Sequence, residues 1–249
     1  MGSIHALHHA TQARDSDASR HAIGLLSGLS AETRKRLEQL IGRPRILHRG
    51  ERLFSAGSEG DSLYLINSGS FKAHVDSDAG EEQITGFHFT SDLIGFDALE
   101  TGRHTHTLEA LETAGVYRIP FETLQQIARG DSDLQRLLMK KISRQLGDEH
   151  RTIFMLGRMN AEQRLAQFFI RLSQVMQESG RMADELNLSM PRHDIANYLG
   201  LALETVSRLL HRFQSSGLLK VAHRNVQLLN LDGLQHIVRK GDARLAQAH

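Results

Sequence analysis

Residues 191–214, PRHDIANYLGLALETVSRLLHRFQ, constrain the fold of this chain more than any other stretch. Two short helices that cross closely need a small residue at the contact, a glycine in the connecting turn and apolar residues that hold the angle between them. Ala196 supplies the small contact, Gly200 stands four residues later, and Ile195, Leu199, Val206 and Leu209 are spaced to form the shared core. Glycine takes the left-handed conformation of such a turn without the steric cost of a Cβ. These six positions agree on a helix-turn-helix. The outward face of its second helix carries Glu204, Thr205, Ser207, Arg208 and Arg212. Near the start of a helix lying in a major groove, such side chains reach base edges. Arg donates a bidentate pair to guanine, and Glu accepts from a cytosine amino group. A solvated i,i+4 pair between Glu204 and Arg208 is the other use of that face. Gly217 then ends the helix, and LLKV (218–221) with NVQLLNL (225–231) reads as a hairpin, a wing. Lys220 and Arg224 on it are placed to meet phosphates, which fix register and not sequence, or serve as ordinary surface charge.

The remaining chain has room for a second core. At 249 residues it is long enough for two domains of ordinary size. Residues 1–23 are polar and rich in histidine, and read as a flexible leader without the apolar stretch of a secretory signal. Ser30-Ala31-Glu32-Thr33 followed by Leu37, Leu40 and Ile41 predicts a short capped helix. From about 44 to 120, runs such as LYLI (63–66), FKAHV (71–75), QITGFHF (83–89) and VYRI (116–119) alternate with glycines and acidic turns. That texture predicts a compact antiparallel β-domain. A second amphipathic helix is expected over about 161–179, on Leu165, Phe168, Phe169, Leu172 and Met176.

Between these parts, residues 131–159 predict one long helix. Met139, Ile142, Leu146, Ile153 and Leu156 are three and four apart, with Glu149 completing the heptad. The stripe is narrow and bracketed by charge, which favours a two-stranded seam over a face buried in its own domain. In a parallel seam the two Glu149 carboxylates would face and repel each other; pairing with Arg144 or Arg151, or turning to solvent, would remove the conflict.

Composition closes off several classes. With no cysteine, disulfides, thiolate-held iron–sulfur clusters and zinc sites with Cys ligands are excluded. No apolar run approaches the roughly 20 residues that span a bilayer, so no membrane partner is expected and the cytoplasm is the default. From Arg158 onward there are 12 Lys and Arg against 8 Asp and Glu, whereas residues 1–157 are net acidic. The excess of cations thus falls with the helix-turn-helix. No nucleophile elbow, P-loop, HExxH or dinucleotide fingerprint is present, so an enzyme is not expected.

Over about residues 24–240 the chain resembles the CRP/FNR family of bacterial regulators. GERLFSAGSEGDSLYLINSGSFK (50–72) resembles the family's cyclic-nucleotide-binding-like roll. EEQITGFHFTSDLIGFDAL (81–99), IPFETL (119–124), NAEQRLAQF (160–168) and DIANYLGLALETVSRLLHRFQSSG (194–217) resemble its FNR branch. The resemblance implies an α+β chain: leader 1–23, β-roll sensor 24–130, dimerisation helix 131–159, and winged helix-turn-helix 160–249. It implies a homodimer on double-stranded DNA, acting on RNA polymerase, usually as an activator. Glu204, Ser207 and Arg208 form an E-x-x-S-R pattern that goes with TTGAT-type half-sites in the FNR branch, and Arg192 matches a family phosphate contact. Leu203 stands where the CRP branch has a base-reading Arg.

Two departures bear on cofactors. The FNR branch's iron–sulfur cluster needs cysteines; here Tyr117 stands at the roll position and the leader offers His5, His8 and His9. Cyclic AMP recognition in the CRP branch needs an acid and an Arg-Ser pair; here His104-Thr105 stands for the pair. Without a guanidinium fork for the cyclic phosphate, no cyclic AMP is expected, and no cofactor is predicted. His104 and His106, two apart on an expected strand edge, invite haem or a metal. With 15 histidines in the chain, surface histidines are the expectation. The competing reading of the whole chain is a haem- or small-molecule-binding sensor whose output is protein contact.

Overall fold

A computed structural model describes residues 29–246. The leader, with His5, His8 and His9, lies outside the described residues. Ser30 caps helix α1 (Ala31–Leu40), its Oγ accepting from the Thr33 amide at 3.1 Å. Eight strands follow: β1 (Arg45–Leu47), β2 (Arg52–Phe54), β3 (Ser62–Ser68), β4 (Ser70–Asp76), β5 (Glu82–Phe89), β6 (Leu93–Ile94), β7 (Thr107–Ala110) and β8 (Ala114–Pro120). They form two four-stranded sheets, β1-β8-β3-β6 and β2-β7-β4-β5. Every pairing described in them is antiparallel. Then come α2 (Phe121–Ala128), α3 (Ser132–Arg158), α4 (Ala161–Glu178), β9 (Glu185–Asn187), α5 (Arg192–Leu199), α6 (Leu203–Ser215), β10 (Leu219–Ala222), β11 (Asn225–Leu228) and α7 (Leu231–Ala246).

The chain divides into two compact units. One comprises residues up to Val75 and Gly86–Leu146, the other Asp76–Thr85 and the chain from Gly147. The boundary falls inside α3, so that the helix contributes its first half to one unit and its second half to the other.

Side-chain alternation builds two cores in the first unit. Ile66 of β3 and Val116 of β8 join Phe54, Phe71 and Leu108 in one buried cluster, which draws on strands of both sheets. Leu63 and Leu65, with Tyr117 and Ile119, point the other way and meet Leu37, Leu124, Ile127 and Leu134 of the helices. Successive strand residues face opposite sides, so each strand serves both cores. Tyr117 is fully buried in the helical-side core.

The histidines depart from expectation. His104 and His106 precede β7 in a loop instead of occupying a strand, and neither is a surface residue. The His104 side chain is inaccessible and stacks on Phe54 with ring centroids 3.6 Å apart. Its Nδ1 lies 3.3 Å from both oxygens of Asp97, and His106 Nδ1 lies 3.4 Å from the same carboxylate. Asp97 also accepts from the Thr105 amide at 2.8 Å. The acid that organises this cluster sits in the GFDAL segment, on a short 3-10 turn (Phe96–Ala98). A backbone turn, invisible to period-2 patterning, brings it to the histidines.

Burial pushes the His106 imidazole below its ordinary pKa of 6.5, aided by His88, His104 and His74 and opposed by Asp97. The unfolded chain therefore binds this proton more readily than the folded one, and stability is lost as pH falls below 6.5. We expect the thermal midpoint of the wild type to drop between pH 7 and about 5, and His106→Gln to flatten that decline. An unchanged slope in the variant would contradict the assignment.

Candidate nucleic-acid interface

The helix-turn-helix is assembled by a close crossing and a left-handed turn. Helix α5 ends at Gly200, whose φ of +60° only glycine adopts freely. The Leu201 amide donates to Ala196 O at 2.9 Å and the Gly200 amide to Asn197 O at 3.0 Å, closing the helix in a Schellman arrangement. This turn sends α6 back across α5. Ile195, Ala196 and Leu199 meet Val206, Leu209, Leu210 and Phe213, all at most 6% exposed. Leu165, Phe168 and Phe169 of α4 complete the buried layer. Capping starts α4 itself: Asn160 Oδ1 accepts from the Gln163 amide while Gln163 Oε1 accepts from the Asn160 amide.

Because one face of α6 is consumed by that core, the other is presented to solvent. Glu204 and Arg208 are exposed, and Thr205 and Ser207 half-buried between them. Among the described residues, no ion pair joins Glu204 to Arg208. Leu203, at the first position of α6, is 42% exposed. Arg192 is exposed at the start of α5, immediately after Pro191. Arg212 lies one turn past Arg208 and bonds Glu162 of α4 at 2.6 Å. Its guanidinium thus holds α6 against α4, a use that spacing along α6 alone could not reveal.

Strands β10 and β11 pair antiparallel, with β9 on the far side of β11. The hairpin turns at His223-Arg224, with His223 at φ +56°. Lys220 is exposed on β10, and the neighbouring Val221 amide donates to Gln214 Oε1 at 3.0 Å, tying the wing to the end of α6. Helix α7, which sequence patterning had not marked, returns to α4: Gln163 Nε2 donates to Val238 O at 2.8 Å.

Among the described residues, the apolar stripe of α3 is largely exposed. Met139 is 68%, Leu146 51% and Ile153 68% exposed, Ile142 lies at 36%, and Glu149 is exposed beside them. Phe154, 49% exposed, joins this surface, although its position lies outside the three-four spacing. Leu156 departs from the expected seam: it is half-buried and packs near the turn at Gly200. Arg151 bonds Asp148 at 2.6 Å. Asn197 of α5 is bonded to Glu82 O and to the Ile84 amide, each at 2.7 Å.

A Crp-like helix-turn-helix domain matches residues 163–237, and a cyclic nucleotide-binding domain matches residues 44–131. The chain is 43% identical over 208 residues to the fumarate nitrate reduction regulatory protein of Klebsiella oxytoca, covering 84% of this chain and 82% of that one. It is 42% identical over 201 residues to the fumarate and nitrate reduction regulatory protein of Escherichia coli K12, covering 81% and 80%. The solved structure of FixK2 from Bradyrhizobium japonicum superposes with a TM-score of 0.72 at 27% identity, over 79% of this chain and 96% of that one.

A Cβ at Gly200 would be strained at its φ and would approach Arg164 Nη1 to 3.3 Å. Gly200→Ala is therefore expected to destabilise the second unit by about 1–2 kcal/mol. Urea unfolding checks this; an unchanged midpoint would contradict the turn as described.

Proposed function

This chain belongs to the CRP/FNR family of transcriptional regulators, and on that premise we propose that it binds a TTGAT–ATCAA-type palindrome as a homodimer and activates transcription through RNA polymerase, in the cytoplasm. The observation that supports this most is the combination on α6 of a fully buried apolar face and an outward acid, hydroxyl and guanidinium. In this reading Glu204, Thr205, Ser207 and Arg208 address base edges, while Arg192 and Lys220 meet phosphates. Arg212, which also bonds Glu162, keeps an exposed side chain and belongs to the same DNA-facing set. In this reading the second chain covers the exposed stripe of Met139, Ile142, Leu146, Ile153 and Phe154, with Glu149 at the heptad position between Leu146 and Ile153 and Leu156 at its end.

The gating chemistry differs from that of a cysteine-ligated cluster. An iron–sulfur cluster needs thiolates, and the chain contains none. Tyr117, at the roll position where the FNR branch supplies a cysteine, is packed into an apolar core. The roll does not fit a cyclic nucleotide either. Where the CRP branch places its arginine, His104 is stacked on Phe54 and turned toward Asp97. A carboxylate and imidazoles closed around each other offer no fork for a cyclic phosphate. Haem ligation by His104 would require breaking the same stack.

Mobility shifts on the palindrome test the reading. Arg208→Ala is expected to lose about 1–3 kcal/mol of discrimination between the palindrome and a base-substituted duplex. Lys220→Ala should weaken binding to all sequences alike and lower the salt slope by about 1. Should Arg208→Ala retain full discrimination, base reading by this face would be refuted. In sedimentation, Ile153→Glu is expected to shift the chain toward monomer, and an unaltered dimer would refute the seam.

A further inference from the structure

One side chain joins the long helix to the turn of the helix-turn-helix. Arg164 lies in the first turn of α4 and folds back over the two residues that separate α4 from α3. Its Nε donates to Met159 O at 2.9 Å and its Nη2 to Leu156 O at 2.7 Å. Its Nη1 donates to Leu199 O at 2.9 Å. Leu156 is in the last turn of α3 and Leu199 is the last residue of α5. The last carbonyls of a helix have no intrahelical partner, and the aligned peptide dipoles make that end negative. A guanidinium presents five donors in a fixed plane. It can therefore serve both helix ends at once and fix the angle between them, which one point charge on a flexible stem cannot.

Other contacts reinforce the same joint. Asp148 of α3 accepts from Arg171 of α4 at 2.8 Å. The Thr152 hydroxyl of α3 lies 3.3 Å from the Tyr198 hydroxyl of α5, and burial raises the Tyr198 pKa so that the phenol stays protonated. All these residues fall in the unit that begins at Gly147. Ile153 and Phe154, which carry the exposed apolar surface, stand on the same half-helix. Gly200 belongs to this joint as well, since it leaves room for Arg164 Nη1.

We propose that Arg164 is a positioning residue that sets the half-site spacing this regulator accepts, by locking the second half of α3 to the turn between α5 and α6. The inference rests on the dimeric DNA-binding reading above. If the seam fixes the two copies of α3, the angle at Arg164 fixes how far apart the two copies of α6 stand. Each base pair added between half-sites moves them apart by about 3.4 Å and rotates one against the other. A rigid joint accepts one spacing; a loose one accepts several.

The test titrates full-length wild type and Arg164→Gln onto TTGAT–ATCAA duplexes whose central spacer is lengthened or shortened by one and two base pairs. Thermal unfolding and the dimer dissociation constant are measured alongside. The wild type is expected to favour one spacer, and Arg164→Gln to reduce that preference by about threefold or more with dimerisation unchanged. Arg164→Lys, which keeps the charge without the fork, is expected to fall between them and carries the test if the glutamine variant does not fold. A variant that binds every spacer more weakly by one common factor, with the preference intact, would overturn the proposal and leave Arg164 a stabilising residue. A wild type that ignores every spacer would overturn the DNA-binding reading along with it.

Discussion

The close crossing of α5 over α6 determines what the second unit presents to its surroundings. Ala196 permits the approach, Gly200 reverses the chain, and Leu199 and Val206 are each fully buried where the helices meet. Burying such side chains contributes about 1.5–3 kcal/mol each, which makes the rotation of α6 about its own axis a property of the core. Glu204 and Arg208 face outward because Val206 and Leu209 face inward. The wing adds a second constraint, since Gln214 at the end of α6 bonds the β10 backbone. The outward surface is thus held on rigid elements and not on a loop.

The first unit uses its polar residues differently. Asp97, His104 and His106 are turned toward each other, and Phe54 covers the His104 ring. A buried carboxylate costs free energy unless it is hydrogen-bonded, and the Thr105 amide and the two imidazoles meet that need. This cluster lies within the stretch that matches the cyclic nucleotide-binding domain.

Much of this was legible in the sequence because it depends on neighbours close along the chain. Ser30 before α1, Gly200 after α5 and the spacing of Ile142, Leu146 and Ile153 are local signals with local causes. The features that escaped depend on contacts between distant segments. Arg212 stands on the face proposed to meet DNA and also bonds Glu162, fifty residues earlier, a contact that spacing along α6 does not show. Leu156 falls on the same stripe, yet it is half-buried near Gly200, a contact from α5 that spacing along α3 does not show. The histidines looked like surface residues until a 3-10 turn brought Asp97 beside them. Helix α7 has a signal of its own, Asn230 followed by Leu231, Leu234, Ile237 and Val238 at helical spacing, which Gly233 and Gly241 interrupt.

In the dimeric reading, two copies of one outward helix face read two halves of a palindrome together. The direct measurement is equilibrium binding of the wild-type chain to the intact palindrome and to a duplex with one half scrambled, at the same salt, with stoichiometry determined for each. Two chains per intact duplex are expected, with a loss of affinity of at least about 10-fold when one half is scrambled. Equal affinity for the two duplexes, or saturation of the intact palindrome by a single chain, would contradict it.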